Sequence, residues 1–286
     1  MVSSEWGDWL PDAFASADPD GIAIWYLGCN GFVLKDGAGT TLFIDPYLGP
    51  GDAPRTVRMI PIPFDPTDIR TADALLATHE HTDHVHGPSQ APILESTGAP
   101  FIAPSASIRK ATEAETWTEE WAVDDDQFTE VAVGDSIVIG AFEITVGPAY
   151  DPDAEEPVSY VIDHPHGTIV HAGDSKPSDT FESVGDSFDV DLAIVAFGSV
   201  GNLLQYDGSG RSRTTWYCDE NDAIEIANSL QASTLLPSHW DMWKGMRADP
   251  TALHEHARSW PYPHTLQIAE IGDRLDLTDG AIHPHV

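Results

Sequence analysis

The sequence predicts a single layered α/β domain, and three observations support that class. Short β-rich segments alternate with helical segments along all 286 residues. The sequence shows neither an internal repeat nor a convincing linker, and its length suits one large domain. Histidine- and aspartate-rich motifs follow several predicted strands, and open α/β sheets commonly hold their sites at strand ends. We therefore expect one domain over residues 1–286, in which two β-rich halves carry interspersed helices.

Strands dominate the first half of the chain. Apolar runs separated by glycine-rich turns predict a β-meander at residues 22–27, 31–34 and 41–45. A proline-rich loop follows at 59–69, and the apolar run 72–79 is typical of a buried strand. Residues 90–97 and 105–114 are candidates for short helices.

A second β series and two helices make up the second half. Further strands are predicted at residues 136–140, 142–146, 158–162, 168–172 and 190–197. Residues 218–232 have apolar side chains at helical spacing, and Asp219 is a plausible N-cap for that helix. The run 233–239 predicts a strand that ends in a histidine. A final helix is expected over 248–260, with Pro250 near its first turn.

The segment THEHTDHVHG, residues 78–87, contains the most informative motif of the sequence. His79 and His81 directly follow a predicted strand, so the two-residue period projects both imidazoles to the same side. The next turn brings Asp83 and His84 to a second point. One pair can therefore hold one metal ion and the other pair a second ion nearby. Neutral imidazole and carboxylate suit Zn, Mn, Fe or Co, whereas a structural zinc knot would use thiolates.

Two later strand ends can complete such a centre. Asp174, in HAGDSK at 171–176, follows a β run and stands where a bridging carboxylate could originate, although Gly-Asp-Ser alone often marks a turn. His239 follows another predicted strand. Together with the first motif, these positions predict two further ligands. His171 is close to Asp174 in sequence and is a candidate for orienting a ligand. Cys29, in an apolar strand-turn context, is interpreted as a small core residue.

These motifs, in this order, resemble the metallo-β-lactamase superfamily. The resemblance covers essentially the whole chain and implies an αββα sandwich with a two-metal site between its sheets. The segment TLFIDPYLG is similar to the superfamily's early strand and Asp-Pro turn, which implies that Asp45 supports the ligands. The segments EWGDWL, WYLGCNGFVLK and HWDMWKGMRADP are similar to the L-ascorbate-6-phosphate lactonase branch.

The resemblance also implies one more ligand. In the superfamily, a histidine after an intermediate strand usually completes the first metal site. The matching segment here, TVGPAYDPD, has no histidine, and Asp151 stands at that position. A carboxylate there would favour Mn²⁺ over Zn²⁺. The chain departs from the branch in three ways. Lys176 stands where a histidine is expected, the segment after the last helix is shorter, and the loop 201–217 does not follow the branch closely. These departures bear on the substrate rather than on the metal chemistry.

The function implied is that of a metal-dependent hydrolase. Two divalent ions, Mn²⁺ or Zn²⁺, would share a hydroxide that opens a sugar-phosphate lactone. Asp83 would orient this nucleophile and carry its proton to the leaving alkoxide. An anionic substrate needs cations, for which the candidates are Lys176, Arg211, Arg213 and Lys244. Each of them could equally form a surface ion pair. Two alternatives stay open: a phosphodiesterase or nuclease with the same two-metal site, and a non-catalytic metal-binding protein.

The charge of the chain is strongly acidic. There are 47 acidic against 13 basic residues, a formal net charge of −34. Such self-repulsion destabilises a compact chain unless salt screens it, so we interpret the acidity as adaptation to a halophilic cytoplasm. It also makes nonspecific nucleic-acid binding unfavourable. The sequence has no signal-peptide pattern and no apolar run long enough for a bilayer, so we expect a soluble cytoplasmic protein without membrane contact that can form a homo-oligomer.

The halophilic interpretation makes a prediction about salt. In dilute buffer the protein should lose secondary structure, and KCl at about 1 M, where the Debye length is about 3 Å, should restore it. Far-ultraviolet circular dichroism during a KCl titration measures this change. A spectrum that stays the same across the titration would contradict the interpretation.

Overall fold

A computed structural model describes residues 2–205 and 208–285 of the chain. The strands, in chain order, are β1 (Ile22–Gly28), β2 (Gly31–Asp36), β3 (Thr41–Ile44), β4 (Ala74–Leu76), β5 (Phe101–Ala103), β6 (Phe128–Glu130), β7 (Ser136–Ile139), β8 (Phe142–Pro148), β9 (Val158–His164), β10 (Gly167–His171), β11 (Val190–Ala196), β12 (Val200–Leu204), β13 (Arg211–Thr215), β14 (Thr234–Ser238), β15 (Met246–Arg247), β16 (Thr265–Leu266), β17 (Arg274–Thr278) and β18 (Ala281–Pro284). The α-helices are α1 (Trp9–Ser16), α2 (Gly87–Thr97), α3 (Ser105–Arg109), α4 (Trp117–Trp121), α5 (Thr180–Ser187), α6 (Glu220–Ser229) and α7 (Leu253–Ala257).

The strands form two large sheets and one small one. The first sheet has the order β18-β17-β1-β2-β3-β4-β5-β6, and the second has the order β16-β14-β11-β10-β9-β8-β7. Strands β13, β12 and β15 form the small sheet. Within the first sheet β3 to β6 are parallel, and within the second β10, β11, β14 and β16 are parallel. Loops that leave neighbouring parallel strands therefore emerge at a common edge of each sheet.

The two large sheets pack face to face between outer layers of helices. Apolar side chains from both inner faces, such as Phe32 and Ile144, form one buried cluster between the sheets. On the outer side of the first sheet, Trp25 packs in a cluster with Phe14 of α1. On the outer side of the second, strand residues such as Val195 pack with Ile224 and other residues of α6. Both faces of the central strands are buried, which explains why their sequences are continuously apolar. The αββα sandwich expected from the sequence is the fold observed.

Several predicted elements differ in extent from the observed ones. The run 72–79 contributes only the short strand β4, because the chain turns towards the motif that follows it. The segment 105–114 consists of α3 and a π-helical turn, Lys110–Ala114. The final helix is shorter than expected, since a 3₁₀ turn at Pro250–Ala252 precedes a short α7. No helix of the described residues is long and apolar enough to cross a bilayer.

Several structured regions have no counterpart in the sequence-based expectation. Helix α1 covers the first sheet, and the hairpin of β17 and β18 extends that sheet beyond β1. The loop 201–217 includes β12 and β13, which form an antiparallel pair on either side of residues 206–207; those two lie outside the described residues. The small sheet is joined to the cavity described below through Trp216, which follows β13.

Candidate metal centre

The predicted ligands come together where strands of both sheets end. The first motif follows β4, Asp151 follows β8, Asp174 follows β10 and His239 follows β14. Three groups each have possible ligand atoms within 4.8 Å of one another: His79, His81 and Asp151; His79, His84 and Asp174; and Cys29, Asp83 and His239. Sequence-distant residues thus meet because parallel strands deliver their C-terminal ends to one edge of the sandwich.

One group consists of His79, His81 and Asp151. The Nε2 atom of His79 lies 2.9 Å from Nδ1 of His81. Oδ2 of Asp151 lies 3.6 Å from the former nitrogen and 3.5 Å from the latter. In a tetrahedral site, zinc–nitrogen and zinc–oxygen bonds of about 2.0–2.2 Å place neighbouring ligand atoms roughly 3.3–3.6 Å apart. The two distances to Asp151 match the spacing of ligands to one ion, and the 2.9 Å between the two imidazole nitrogens is somewhat shorter than that spacing.

A second group contains Asp83, His84 and His239. Nε2 of His239 lies 3.3 Å from Oδ2 of Asp83. Oδ2 of Asp174 lies 3.2 Å from Nε2 of His84, 3.8 Å from Nε2 of His239 and 4.0 Å from Nε2 of His79. A single carboxylate oxygen thus faces imidazoles of both groups, which is the position required of a bridging ligand.

Burial and charge determine the protonation of this cluster. Burial lowers the pKa of His79 well below its usual value, so its imidazole stays neutral and able to bind a metal. Burial also opposes charge on His84, but the carboxylates of Asp174 and Asp45 outweigh it and raise the pKa of His84. Burial would raise the pKa of Asp174, yet the imidazoles of His84 and His239 hold it below the usual range. Buried ionised carboxylates of this kind need cations nearby.

Asp83 and Asp151 differ in their surroundings. Burial would raise the pKa of Asp83, but its hydrogen bond with His239 and the neighbouring imidazoles hold it well below the usual range. Burial raises the pKa of Asp151. The donor set therefore fits divalent cations in chemistry as well as in spacing, because it combines imidazole nitrogen with carboxylate oxygen and is largely withdrawn from water.

Asp45 orients His84 from below the cluster. Its Oδ1 accepts a hydrogen bond from the backbone N–H of Thr78 at 2.9 Å, and its Oδ2 accepts one from the Thr78 hydroxyl at 2.7 Å. Oδ2 also lies 2.8 Å from Nδ1 of His84. With Nδ1 engaged in this way, Nε2 of His84 is left to face Asp174. Asp45 thus contacts His84 on the side of its ring opposite to the nitrogen that faces Asp174.

His171 acts one step further from the ligands. Its Nε2 lies 3.0 Å from the carbonyl oxygen of Asn30 and donates to it. The side-chain N–H₂ of Asn30 in turn donates to Oδ1 of Asp174 at 3.1 Å. The side-chain Oδ1 of Asn30 accepts a hydrogen bond from the Ser238 hydroxyl at 2.6 Å. Asn30 is therefore the residue that orients Asp174 directly, and the sequence analysis does not identify it. His171 positions Asn30 rather than the carboxylate.

A cavity of about 530 Å³ opens above the cluster. Its walls include Tyr47, Arg55, His86, Trp216, Tyr217 and Trp243 as well as ligand residues. Tyr217 stacks on His239 with ring centroids 3.9 Å apart, and its hydroxyl donates to Oδ2 of Asp83 at 3.5 Å. Burial, followed by the charge of Asp83, raises the pKa of Tyr217, so its hydroxyl remains a donor. Burial lowers the pKa of His86 to about 4, so it is neutral near pH 7.

The four predicted substrate-binding cations lie elsewhere. The Lys176 ammonium donates to the carbonyl of Tyr217, and Arg211 donates to the carbonyl of Asn202 at 2.8 Å. Arg213 lines a different cavity, and Lys244 is exposed on a loop. Among the described residues, none of these four lines the cavity above the cluster.

Among the described residues that line this cavity, the basic side chain is that of Arg55, which no sequence motif marks. Its guanidinium lies over the ring of Trp216, 5.6 Å from the centroid, and its Nε donates to the carbonyl of Leu204 at 3.3 Å. It comes from the long irregular segment between β3 and β4, whereas its neighbours follow β13 or belong to β12. No motif or spacing in the sequence links these segments.

Known proteins resemble the chain at three levels. A family model described as a beta-lactamase superfamily domain matches residues 40–240. The probable L-ascorbate-6-phosphate lactonase UlaG of Escherichia fergusonii is 26% identical over 291 residues, covering 86% of this chain and 77% of the relative. Igni18, a metallo hydrolase from Ignicoccus hospitalis, has a TM-score of 0.63 at 18% identity and covers 88% of this chain and 97% of its own. CmlA, a diiron β-hydroxylase from Streptomyces venezuelae, has a TM-score of 0.64 at 18% identity, over 91% of this chain and 55% of its own.

The hydrogen bonds of Asp45 generate a prediction about metal affinity. Replacement of Asp45 by Asn puts an amide N–H₂ among donors and should weaken binding of Zn²⁺ by about 10–100-fold. Competition with a coloured chelator measures the affinity. Asp36→Asn is a matched control, because Asp36 is also a buried aspartate. It is the last residue of β2, whereas Asp45 and the metal centre lie near the first residues of that strand. Equal losses in both variants would indicate general destabilisation and contradict the role of Asp45.

Proposed function

The chain belongs to the beta-lactamase superfamily, and from that premise we propose that it is a metal-dependent hydrolase that opens lactone rings of anionic, sugar-like substrates. The observation that carries the proposal is the convergence of two ligand groups on Asp174 beneath a cavity that contains Arg55. The similarity to the probable L-ascorbate-6-phosphate lactonase of Escherichia fergusonii supports the choice of bond. The fold by itself does not select a reaction, since it is shared with the diiron β-hydroxylase CmlA.

The residues divide into two ligand sets with one shared member. His79, His81 and Asp151 would hold one ion, and Asp83, His84 and His239 the other, with Asp174 between them. When bound, the cations would lower the pKa of a water molecule and polarise the substrate carbonyl. The ions could be Mn²⁺ or Zn²⁺, because the donor atoms are nitrogen and oxygen.

Side chains beside the two ligand sets would transfer the proton and stabilise the developing negative charge. Asp83 lies at the cavity floor, where its carboxylate can accept a proton from the attacking water and return it to the ring oxygen as the ester bond breaks. Because lactone opening releases no separate leaving group, this proton return completes the reaction. The Tyr217 hydroxyl, held beside Asp83, is a neutral donor suited to the oxygen that gains negative charge.

Arg55 gives the cavity a means of binding an anionic substituent. Its guanidinium is stacked over Trp216, which limits its movement, and its positive charge can attract a phosphate group. Tyr47 and Trp243 offer aromatic surface for the sugar-like part of a substrate. The same walls carry Asp52 and Asp153, whose charge disfavours a long polyanion. The phosphodiesterase or nuclease alternative therefore has less support than a small anionic lactone.

We predict base consumption when the metal-loaded protein meets a lactone. L-ascorbate 6-phosphate lactone and unphosphorylated lactones should be offered in a pH-stat with Mn²⁺ or Zn²⁺. Asp83→Asn should lower kcat by about 10²–10⁴-fold, because it removes the proton carrier. A wild-type protein that holds its metal and consumes no base with any lactone would contradict the proposed reaction.

The same assay separates binding from chemistry through Arg55→Gln. Loss of a charge-assisted hydrogen bond, worth about 1.5–3 kcal/mol, should raise KM for the phosphorylated lactone by about tenfold or more. The unphosphorylated lactone should be affected little. Arg213→Gln is the matched control, because Arg213 lines a different cavity. An equal effect of Arg55→Gln on both substrates would contradict the assignment of Arg55 to the anionic group.

A further inference from the structure

A buried thiol lies directly behind the second ligand group. Cys29 follows β1 in the turn to β2 and has no exposed surface. Its Sγ is 3.3 Å from Nε2 of His239 and 4.0 Å from Oδ2 of Asp83. The sequence pattern suggests only a small core residue, and no spacing connects Cys29 with residues more than 50 positions away.

The three atoms have the spacing of one face of a coordination polyhedron. The remaining edge, between Nε2 of His239 and Oδ2 of Asp83, measures 3.3 Å. A tetrahedral zinc site with bond lengths of about 2.0–2.3 Å gives edges of roughly 3.3–3.8 Å. The two nitrogen-containing edges match this range, and the sulfur–oxygen edge exceeds it by less than half an ångström. An ion that binds Asp83 and His239 would therefore also be within reach of the sulfur.

The backbone holds this arrangement in an unusual conformation. Cys29 has φ +56° and His239 has φ +67°, both in the left-handed region that residues with a Cβ seldom adopt. A backbone hydrogen bond connects the two residues, because the N–H of His239 donates to the carbonyl of Cys29 at 2.9 Å. Strained conformations of this kind persist where surrounding structure enforces them, often at functional sites. Here they fix the approach of the sulfur to the imidazole.

We propose that Cys29 is a thiolate ligand of the second metal ion, in addition to Asp83, His84 and His239. The inference rests on the metal centre of the proposed function and adds a ligand to it. On binding, a metal–sulfur bond forms and the thiol proton passes to solvent. The two sites would then differ in chemistry. His79, His81 and Asp151 offer only nitrogen and oxygen, whereas a sulfur ligand makes the second site selective for thiophilic ions such as Zn²⁺ or Co²⁺.

The second cysteine provides a contrast within the same chain. Cys218 is equally buried, but its Sγ donates to the carbonyl of Ser175 at 3.2 Å. It packs in the apolar cluster beneath α6 with residues such as Ile224. Its surroundings are those of an ordinary core thiol. Cys218→Ser is thus a matched control for any replacement of Cys29.

The test uses the full chain loaded with Co²⁺ after removal of other metals. A cysteine ligand gives a sulfur-to-cobalt charge-transfer band in the near ultraviolet, and bound Co²⁺ gives separate weaker bands in the visible. The near-ultraviolet band should appear in the wild type and in Cys218→Ser. It should be absent in Cys29→Ser and Cys29→Ala, while visible bands show that Co²⁺ is still bound.

Each outcome bears on the inference. Visible bands without a charge-transfer band in the wild type would overturn the assignment of Cys29 and leave the metal centre intact, with the thiol as a hydrogen-bond donor near Asp83. A wild type that binds no Co²⁺ would overturn both. A band that persists in a folded Cys29→Ser protein would also overturn the assignment. The spectrum of the wild type alone can contradict the proposal, so the test remains decisive even if a Cys29 variant fails to fold.

Metal preference gives a second readout that does not depend on activity. Cys29→Ser should weaken Zn²⁺ binding at one of the two sites by about tenfold or more. Removal of a residue that only hydrogen-bonds to a metal ligand already lowers metal affinity by about 10–100-fold, and a direct ligand should matter at least as much. Mn²⁺ affinity should change much less, because oxygen replaces sulfur. Calorimetric titration of each metal measures both affinities. Equal changes for Zn²⁺ and Mn²⁺ would contradict a direct sulfur ligand.

Discussion

The charge of one buried carboxylate is the constraint on which the rest of the site depends. Asp174 is almost fully buried, and its Oδ2 faces imidazoles from both ligand groups while its Oδ1 accepts a hydrogen bond from Asn30. An ionised carboxylate at such a position is unfavourable unless cations compensate it. The imidazoles that face Asp174 follow strands of both sheets, so these strands must end within a few ångströms of one another. The four-layer packing achieves this, because the apolar cluster between the sheets fixes their separation.

The sequence predicts those parts of the site that are local in the chain. His79, His81, Asp83 and His84 fall within the six positions 79–84 after a strand, so the end of the strand and the turn that follows bring them near one another. Asp174 and His239 are predictable because each also follows a strand. The supporting residues Asn30, Arg55 and Tyr217 come from turns and irregular segments, whose contacts arise only from tertiary packing. Cys29 is of the same kind, since its partner His239 lies 210 residues away.

The fold is predictable to a similar extent and for a related reason. Strands such as β1, β2 and β11 are buried on both faces, so their composition alone identifies them. The hairpin of β17 and β18 is less evident, because it lies at the edge of the first sheet and mixes exposed with buried residues. The resemblance of the motifs to a known superfamily supplies the layer order, which neither periodicity nor composition specifies.

The most direct measurement of the central claim is the number of metal ions bound per chain, with their positions. Crystals of the Zn²⁺-loaded protein, examined by anomalous scattering at the zinc edge, give both. The account predicts two peaks, one among His79, His81 and Asp151 and one among Asp83, His84 and His239, with Asp174 touching both. A single peak, or ions bound only at other acidic residues, would contradict the two-metal centre.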